Sequence, residues 1–276
     1  PYGLKLPYKE FNPPQSDVVP MILEDTESNI VVCCETGTGK TLSMMALTAM
    51  TLNPNEGPRR KVFYTGPLKA LVEEKLEECQ ELFPDARVEV LTGDYSLSER
   101  KKKDLANADI VLMTPEMMDT RIRNRSSEGN AWLFDGGAWI IDEFHTLDDK
   151  ERGDKLEAAI MRFGKNIHGC RILALSATMD NVANIKAWLD RVTGRPTKTY
   201  TSKWRAVELE YIWHIVPGGS YWVEEGNRLD TAITLLKKLE GSQCLFFSGN
   251  KAWCDKFARK AQDEGLEDVG VHNADR

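Results

Sequence analysis

The chain has 276 residues, 41% of them apolar and 29% charged, with a net charge of −7. That is the make-up of an ordinary globular protein, with material for one large domain or two smaller ones. No apolar run approaches the roughly 18 residues of a membrane span, the N-terminus carries no signal-peptide pattern, and the acidic balance excludes a surface that is basic all over, though not a local basic groove.

The first apolar run is Ile30-Val31-Val32, which predicts a buried strand. It leads into Cys33-Cys34-Glu35-Thr36-Gly37-Thr38-Gly39-Lys40-Thr41, and then into Leu42, Met45, Ala46, Ala49 and Met50 at helical spacing. Glycines between a strand and a helix are the setting of a P-loop. Gly37 and Gly39 let successive backbone N–H groups face one anion, and the helix N-terminus adds partial positive charge. Thr36, Gly37, Thr38, Gly39, Lys40 and Thr41 form the cradle, with Lys40 reaching the outer phosphates and Thr41 holding Mg²⁺. Cys34 stands where the motif usually has its first glycine.

Further strands are predicted at Val62–Tyr64, Val88–Leu91, Ile110–Met113, Trp139–Ile141 and Ile172–Leu175. Leu68, Leu71, Val72, Leu76, Cys79, Leu82 and Phe83 keep helical spacing between two of them. This alternation predicts a parallel sheet with helices on both faces, binding its ligands at the carboxyl ends of the strands. Basic residues cluster at 59–61, at 100–103, and at Arg121, Arg123 and Arg125. The first two clusters read as solvated faces, and the third lies on a predicted helix.

After the strand Trp139-Ile140-Ile141 comes Asp142-Glu143-Phe144-His145. A carboxylate leaving a buried strand near a P-loop can supply an oxygen ligand to Mg²⁺, the role assigned to Asp142. Glu143 is then placed to take a proton from water attacking the γ-phosphate. A second unit starts after Pro196, with strands at 207–216 and 244–247 and helices at about 225–239 and from Ala252. It is short for a domain, which typically has about 100–150 residues, and a chain that starts at Pro1 is expected to be processed or a fragment. Six cysteines without metal-ligand spacing favour a reducing, intracellular setting. Trp139 and Trp188 are assigned to core packing, and no metal beyond Mg²⁺ is expected.

The stretches Cys-Glu-Thr-Gly-Thr-Gly-Lys-Thr, Asp-Glu-Phe-His and Ser-Ala-Thr (176–178), in that order, resemble the superfamily 2 helicases of the DExH type. Residues 142–157 and 175–189 are similar to the Ski2-like branch, and residues 92–96 and 114–124 lean toward its archaeal-type DNA repair helicases. The resemblance covers roughly residues 8–276 and implies a complete RecA-like α/β domain over 1–200 and the start of a second over 201–276. Arginine-bearing motifs V and VI are expected beyond Arg276. It also implies ATP and Mg²⁺ as ligands and single-stranded nucleic acid as partner, DNA ahead of RNA.

Carried over position by position, the resemblance makes Gln15 of Phe11-Asn12-Pro13-Pro14-Gln15 the residue that hydrogen-bonds adenine. Pro67, Lys69, Thr92, Gly93, Thr114 and Pro115 would line a groove for the sugar-phosphate backbone, which positions a strand without reading its sequence. Arg121 and Arg123 would form the edge of that groove, while His145, Ser176 and Thr178 would couple it to the nucleotide. Each threonine taken singly reads first as a helix cap or strand end; only their recurrence after successive strands, on one edge of the sheet, points to the groove. Three alternatives remain beside the DNA helicase: an RNA helicase of the same branch, a P-loop enzyme unrelated to nucleic acid, and a module that binds without unwinding.

Overall fold

The computed structural model describes residues 9–55, 57–93, 97–216, 218, 220–239 and 241–271, with the backbone alone at 221–224. The part of the expected stretch 92–96 at 94–96 lies outside the described residues. Two compact units are present, one ending at Glu208 and the other starting at Leu209.

The first unit is built on seven parallel strands: β1 (Asn29–Cys34), β2 (Lys61–Thr65), β3 (Val88–Leu91), β4 (Ile110–Met113), β5 (Gly136–Ile141), β6 (Arg171–Ser176) and β7 (Thr197–Ser202). Their order across the sheet is β3-β4-β2-β5-β6-β1-β7. Successive strand residues face opposite sides, and the core divides accordingly. Val31, Phe63, Val111, Trp139, Ile141 and Ile172 pack on one side; Ile30, Val32, Val62, Tyr64, Ile140 and Leu173 pack on the other. Helices α1 (Pro13–Glu24), α2 (Thr41–Leu52) and α3 (Lys69–Leu82) cover the second side. Helices α4 (Glu99–Asn107), α5 (Pro115–Arg123), α6 (Gly153–Asn166) and α7 (Val182–Thr193) cover the first. Both faces are dry, which is why the strands read as apolar runs rather than as alternating ones. Phe63, Trp132, Trp139 and Phe163 meet there edge-on or tilted, with centroids 4.5–6.4 Å apart, and Trp188 packs against the same cluster.

Three sequence expectations change. Strand β7, Thr-Lys-Thr-Tyr-Thr-Ser, carries no apolar run; it pairs along its whole length with β1 on one side only, and it runs through the boundary expected at residue 200. Stretches 207–216 and 244–247 form no strand and join no sheet among the described residues. A strand needs a ladder partner for its N–H and C=O groups, and no strand pairing reaches these segments among the described residues. The basic cluster at 59–61 is not a solvated face: Lys61 is buried and donates to the carbonyls of Ala106 and Ala108, Arg59 pairs with Asp109 at 2.9 Å, and Arg60 donates to the Gly169 carbonyl. In the cluster at 100–103, on α4, Arg100 lies 3.9 Å from Asp104, Lys101 pairs with Glu89 and Lys102 with Glu99.

The second unit contains α8 (Tyr221–Lys238) and α9 (Lys251–Asp263), which meet through Leu229, Ile233, Phe257 and Ala261. Phe246 stacks on Phe257 at 3.8 Å. No described helix is long and apolar enough to cross a membrane.

Candidate nucleotide site and nucleic-acid edge

Between the end of β1 and the start of α2 the backbone turns on two residues with left-handed dihedrals, Gly37 (φ 77°) and Gly39 (φ 74°). A side chain disfavours this region by about 1–2 kcal/mol, so both positions call for glycine. The loop is closed on itself by Thr38, whose Oγ1 donates to the Glu35 carbonyl at 2.9 Å. Lys40 Nζ donates to the Cys34 and Glu35 carbonyls at 2.9 and 3.2 Å.

Helix α1 braces the loop from outside. Asn12 Nδ2 donates to the Thr38 carbonyl at 2.9 Å, and Gln15 Nε2 reaches the Gly39 carbonyl at 3.4 Å. The same two residues form a capping box, Gln15 N to Asn12 Oδ1 and Asn12 N to Gln15 Oε1. Gln15 therefore both caps α1 and touches the P-loop.

Parallel pairing sets β1, β6 and β5 side by side, with Cys33 level with Ser176 and Ile141 level with Ala174. Their carboxyl ends thus bring the P-loop, Ser176-Ala177-Thr178 and Asp142-Glu143 to one edge. Asp142 is fixed at both carboxylate oxygens: Oδ1 accepts from the Glu143 N–H at 2.9 Å, and Oδ2 accepts from the Tyr64 hydroxyl at 2.7 Å. Burial, and then the Asp142 charge, raise the Tyr64 pKa, so the phenol remains a donor.

Glu143 adopts a left-handed conformation (φ 49°, ψ 47°), rare for a residue with a side chain and concentrated at functional sites. His145 Nδ1 lies 3.4 Å from Glu143 Oε2. Ser176 Oγ is fully buried and accepts or donates no hydrogen bond among the described residues. Thr178 Oγ1 donates to Glu35 Oε1 at 3.1 Å, and the other oxygen of that carboxylate pairs with Arg205.

The ends of β2, β4 and β3 make the other half of the edge and carry Pro67 and Lys69, Thr114 and Pro115, and Thr92 and Gly93. Lys69 and Gly93 are brought together: a Cβ at Gly93 (φ 92°) would stand 3.1 Å from Lys69 Nζ. Thr114 caps α5, its Oγ1 accepting from the Met117 N–H at 3.4 Å, and Pro115 occupies the first turn of that helix. The Pro67 carbonyl accepts from Arg152.

Burial revises the expectation for Arg121. It is 4% exposed, on the face of α5 shared with Met117, Met118 and Ile122, and loss of water lowers its pKa. It is not presented to a phosphate backbone. Arg123 is exposed and 2.9 Å from Asp119, which Arg162 also contacts. Sequence reasoning missed Tyr64, Glu35, Asn12 and Arg205. Asn12 and Glu35 lie within stretches already singled out by motif, whereas Tyr64 and Arg205 become visible only once strand neighbours are known. Among the described residues no cluster of His, Cys, Asp and Glu has the make-up of a metal site of its own.

A parallel sheet with a P-loop after one strand and an acidic pair two strands away defines a P-loop nucleotide-binding domain of the RecA type. Residues 12–185 match the DEAD/DEAH box helicase family, and the chain belongs to that family. It is 35% identical over 206 residues to the ATP-dependent DNA helicase Hel308 of Methanococcus vannielii, covering 73% of this chain and 25% of that protein. Against Hel308 of Pyrobaculum calidifontis it is 29% identical over 265 residues, 94% of this chain and 35% of the relative. The chloroplastic DExH-box ATP-dependent RNA helicase DExH15 of Arabidopsis thaliana is 33% identical over 187 residues, 67% of this chain and 15% of the relative. The chain spans from 16% to 35% of the length of the Hel308 relatives it matches.

Proposed function

We propose that this chain is the ATP-binding part of a Ski2-like helicase that couples ATP hydrolysis to movement along single-stranded DNA. The observation that carries this is the convergence of the P-loop, the acidic pair and Ser176-Ala177-Thr178 on adjacent strand ends β1, β6 and β5. The residues suit ATP·Mg²⁺. Left-handed glycines shape an anion cradle at the N-terminus of α2, and Lys40 holds only carbonyls that it can exchange for phosphate oxygens. Asp142 presents an oriented carboxylate, and hard oxygen ligands are what Mg²⁺ takes. When bound, the metal neutralises charge on the β- and γ-phosphates. Thr41 and Asp142 would hold it, Glu143 would accept the proton of attacking water, and Gln15 would offer its amide to adenine.

Single-stranded DNA would cross the ends of β2, β4 and β3 at Pro67, Lys69, Thr92, Gly93, Thr114 and Pro115, with Arg123 at the margin. His145, Ser176 and Thr178 would carry the state of the nucleotide to that strand. The Hel308 relatives are ATP-dependent DNA helicases, which supports DNA, and the likeness to the RNA helicase DExH15 keeps RNA as the second reading. Six free cysteines suit a reducing, intracellular compartment.

The test is ATP hydrolysis by the intact protein with no oligonucleotide, with single-stranded DNA and with RNA of the same sequence. Stimulation by DNA is expected. Glu143→Gln should cut the rate about 10²–10⁴-fold with ATP binding kept, whereas Asp142→Asn should weaken Mg²⁺-dependent binding as well. Hydrolysis indifferent to both oligonucleotides would return the chain to a P-loop enzyme without a nucleic-acid partner.

A further inference from the structure

We infer that Tyr64 is a positioning residue for Asp142, holding its carboxylate in the orientation that Mg²⁺·nucleotide requires; the inference rests on the nucleotide site proposed above. Strand β2 lies beside β5 with Thr65 level with Ile141, and the Asp142 N–H continues the ladder onto the Thr65 carbonyl at 2.8 Å. Asp142 therefore leaves the sheet next to the end of β2. Tyr64 faces the core side formed with α1–α3 and is 2% exposed, yet its hydroxyl emerges at the sheet edge, 2.7 Å from Asp142 Oδ2.

Packing alone does not call for this hydroxyl. The preceding core residue is Phe63, and a buried O–H without a partner costs free energy that a phenyl ring avoids. What the hydroxyl adds is a second fixed donor on a carboxylate already held at Oδ1 by the Glu143 N–H. Two donors on different oxygens set both the rotation and the tilt of the group, while about two of its four lone-pair sites remain for a cation or its water. Partners of this kind, one shell beyond the metal, are commonly worth 10- to 100-fold in metal affinity. Lys75 lies over the ring, its Nζ 5.8 Å from the centroid, and the missing side chain at Gly66 leaves room beside it, where a Cβ would stand 3.5 Å from the ring.

The experiment titrates a fluorescent ATP analogue onto the 276-residue chain, in EDTA and over a range of Mg²⁺, for the parent, Tyr64→Phe, Asp142→Asn and the double variant. Tyr64→Phe keeps the ring and removes one oxygen. Binding in EDTA should stay within about two-fold, while the Mg²⁺ concentration needed for half of the metal-dependent tightening should rise about ten-fold. With Asp142→Asn already present, adding Tyr64→Phe should change that concentration by less than about two-fold, because the partner has lost its charge. Tyr64→Met, which also lacks the hydroxyl but shapes itself to the space, provides the same comparison if Tyr64→Phe folds poorly. A Mg²⁺ curve for either variant that overlays the parent overturns the inference and leaves Tyr64 a packing residue. A parent that shows no metal-dependent tightening overturns the nucleotide site itself.

Discussion

Replacing Gly39 with alanine tests whether the P-loop is braced by α1. Two costs are built into the position. The φ of 74° is one that a Cβ disfavours by about 1–2 kcal/mol. The new methyl would also stand on the Gln15 side-chain amide, which cannot withdraw without disturbing its capping box with Asn12, worth about 1 kcal/mol. Together these give about 2–3 kcal/mol, or about 4–12 °C in Tm for a unit of this size. Gln15→Ala alone should cost about 1 kcal/mol through the cap. The double variant should cost less than the sum of the singles by about 1 kcal/mol, because removing Gln15 removes the collision and leaves the backbone term. Chemical denaturation of the four proteins, followed by tryptophan fluorescence, supplies the cycle, and nucleotide titration of each shows whether the cradle keeps its shape. Strict additivity would refute the contact between helix and loop. A Gly39→Ala protein as stable as the parent would refute the strain as well.

Single-strand binding should weaken with salt by a slope of about 0.7 per phosphate neutralised; Lys69→Ala should flatten it by about that amount, measured by anisotropy of a labelled oligonucleotide. Arg121→Ala should leave the slope unchanged and lower stability by about 1–3 kcal/mol in a urea melt, since the side chain is buried rather than offered to a strand. Alanines at 100–103 should leave the slope alone too, because Arg100, Lys101 and Lys102 are already engaged by local acids. In the folded chain at pH 8, iodoacetamide should label Cys244 first. Cys33, Cys34, Cys79 and Cys170 should resist, because they are buried and their thiols are raised by lost hydration, Cys33 to about 11, which leaves little thiolate. Peptide mass spectrometry reads the order, and early labelling of Cys33 would mean that the β1 end opens.

What the sequence made legible was local chemistry. Ile30-Val31-Val32 followed by two glycines and Lys40 needs no distant partner to be read, and the apolar runs of β2 to β6 announce burial on both faces. Strand β7 was hidden because an edge strand of Thr, Lys, Tyr and Ser carries little hydrophobic signal; it exists because β1 offers it a ladder. At 207–216 the reverse holds, since Val-Glu-Leu-Glu-Tyr-Ile-Trp has strand propensity and finds no strand to pair with among the described residues. Arg121 could have been placed from spacing, being four residues after Met117 and three after Met118 on one helix stripe. Tyr64 could not: its partner is 78 residues away, and the adjacency of β2 and β5 is not written in chain order.

Glu35 ties the P-loop to the strands around it. Its carbonyl receives Thr38 and Lys40, while its carboxylate receives Thr178 and Arg205. The P-loop is thus not a free noose around a phosphate but a bracket bolted on its rim to the strands on either side, β6 through Thr178 and β7 through the residues that follow it. Were Lys40 to move to a phosphate, one of the four attachments at this residue would let go and three would remain. Arg205 lies four residues before Leu209, where the second compact unit begins, so the connecting stretch has a clamped end, and that clamp is a side chain of the P-loop itself.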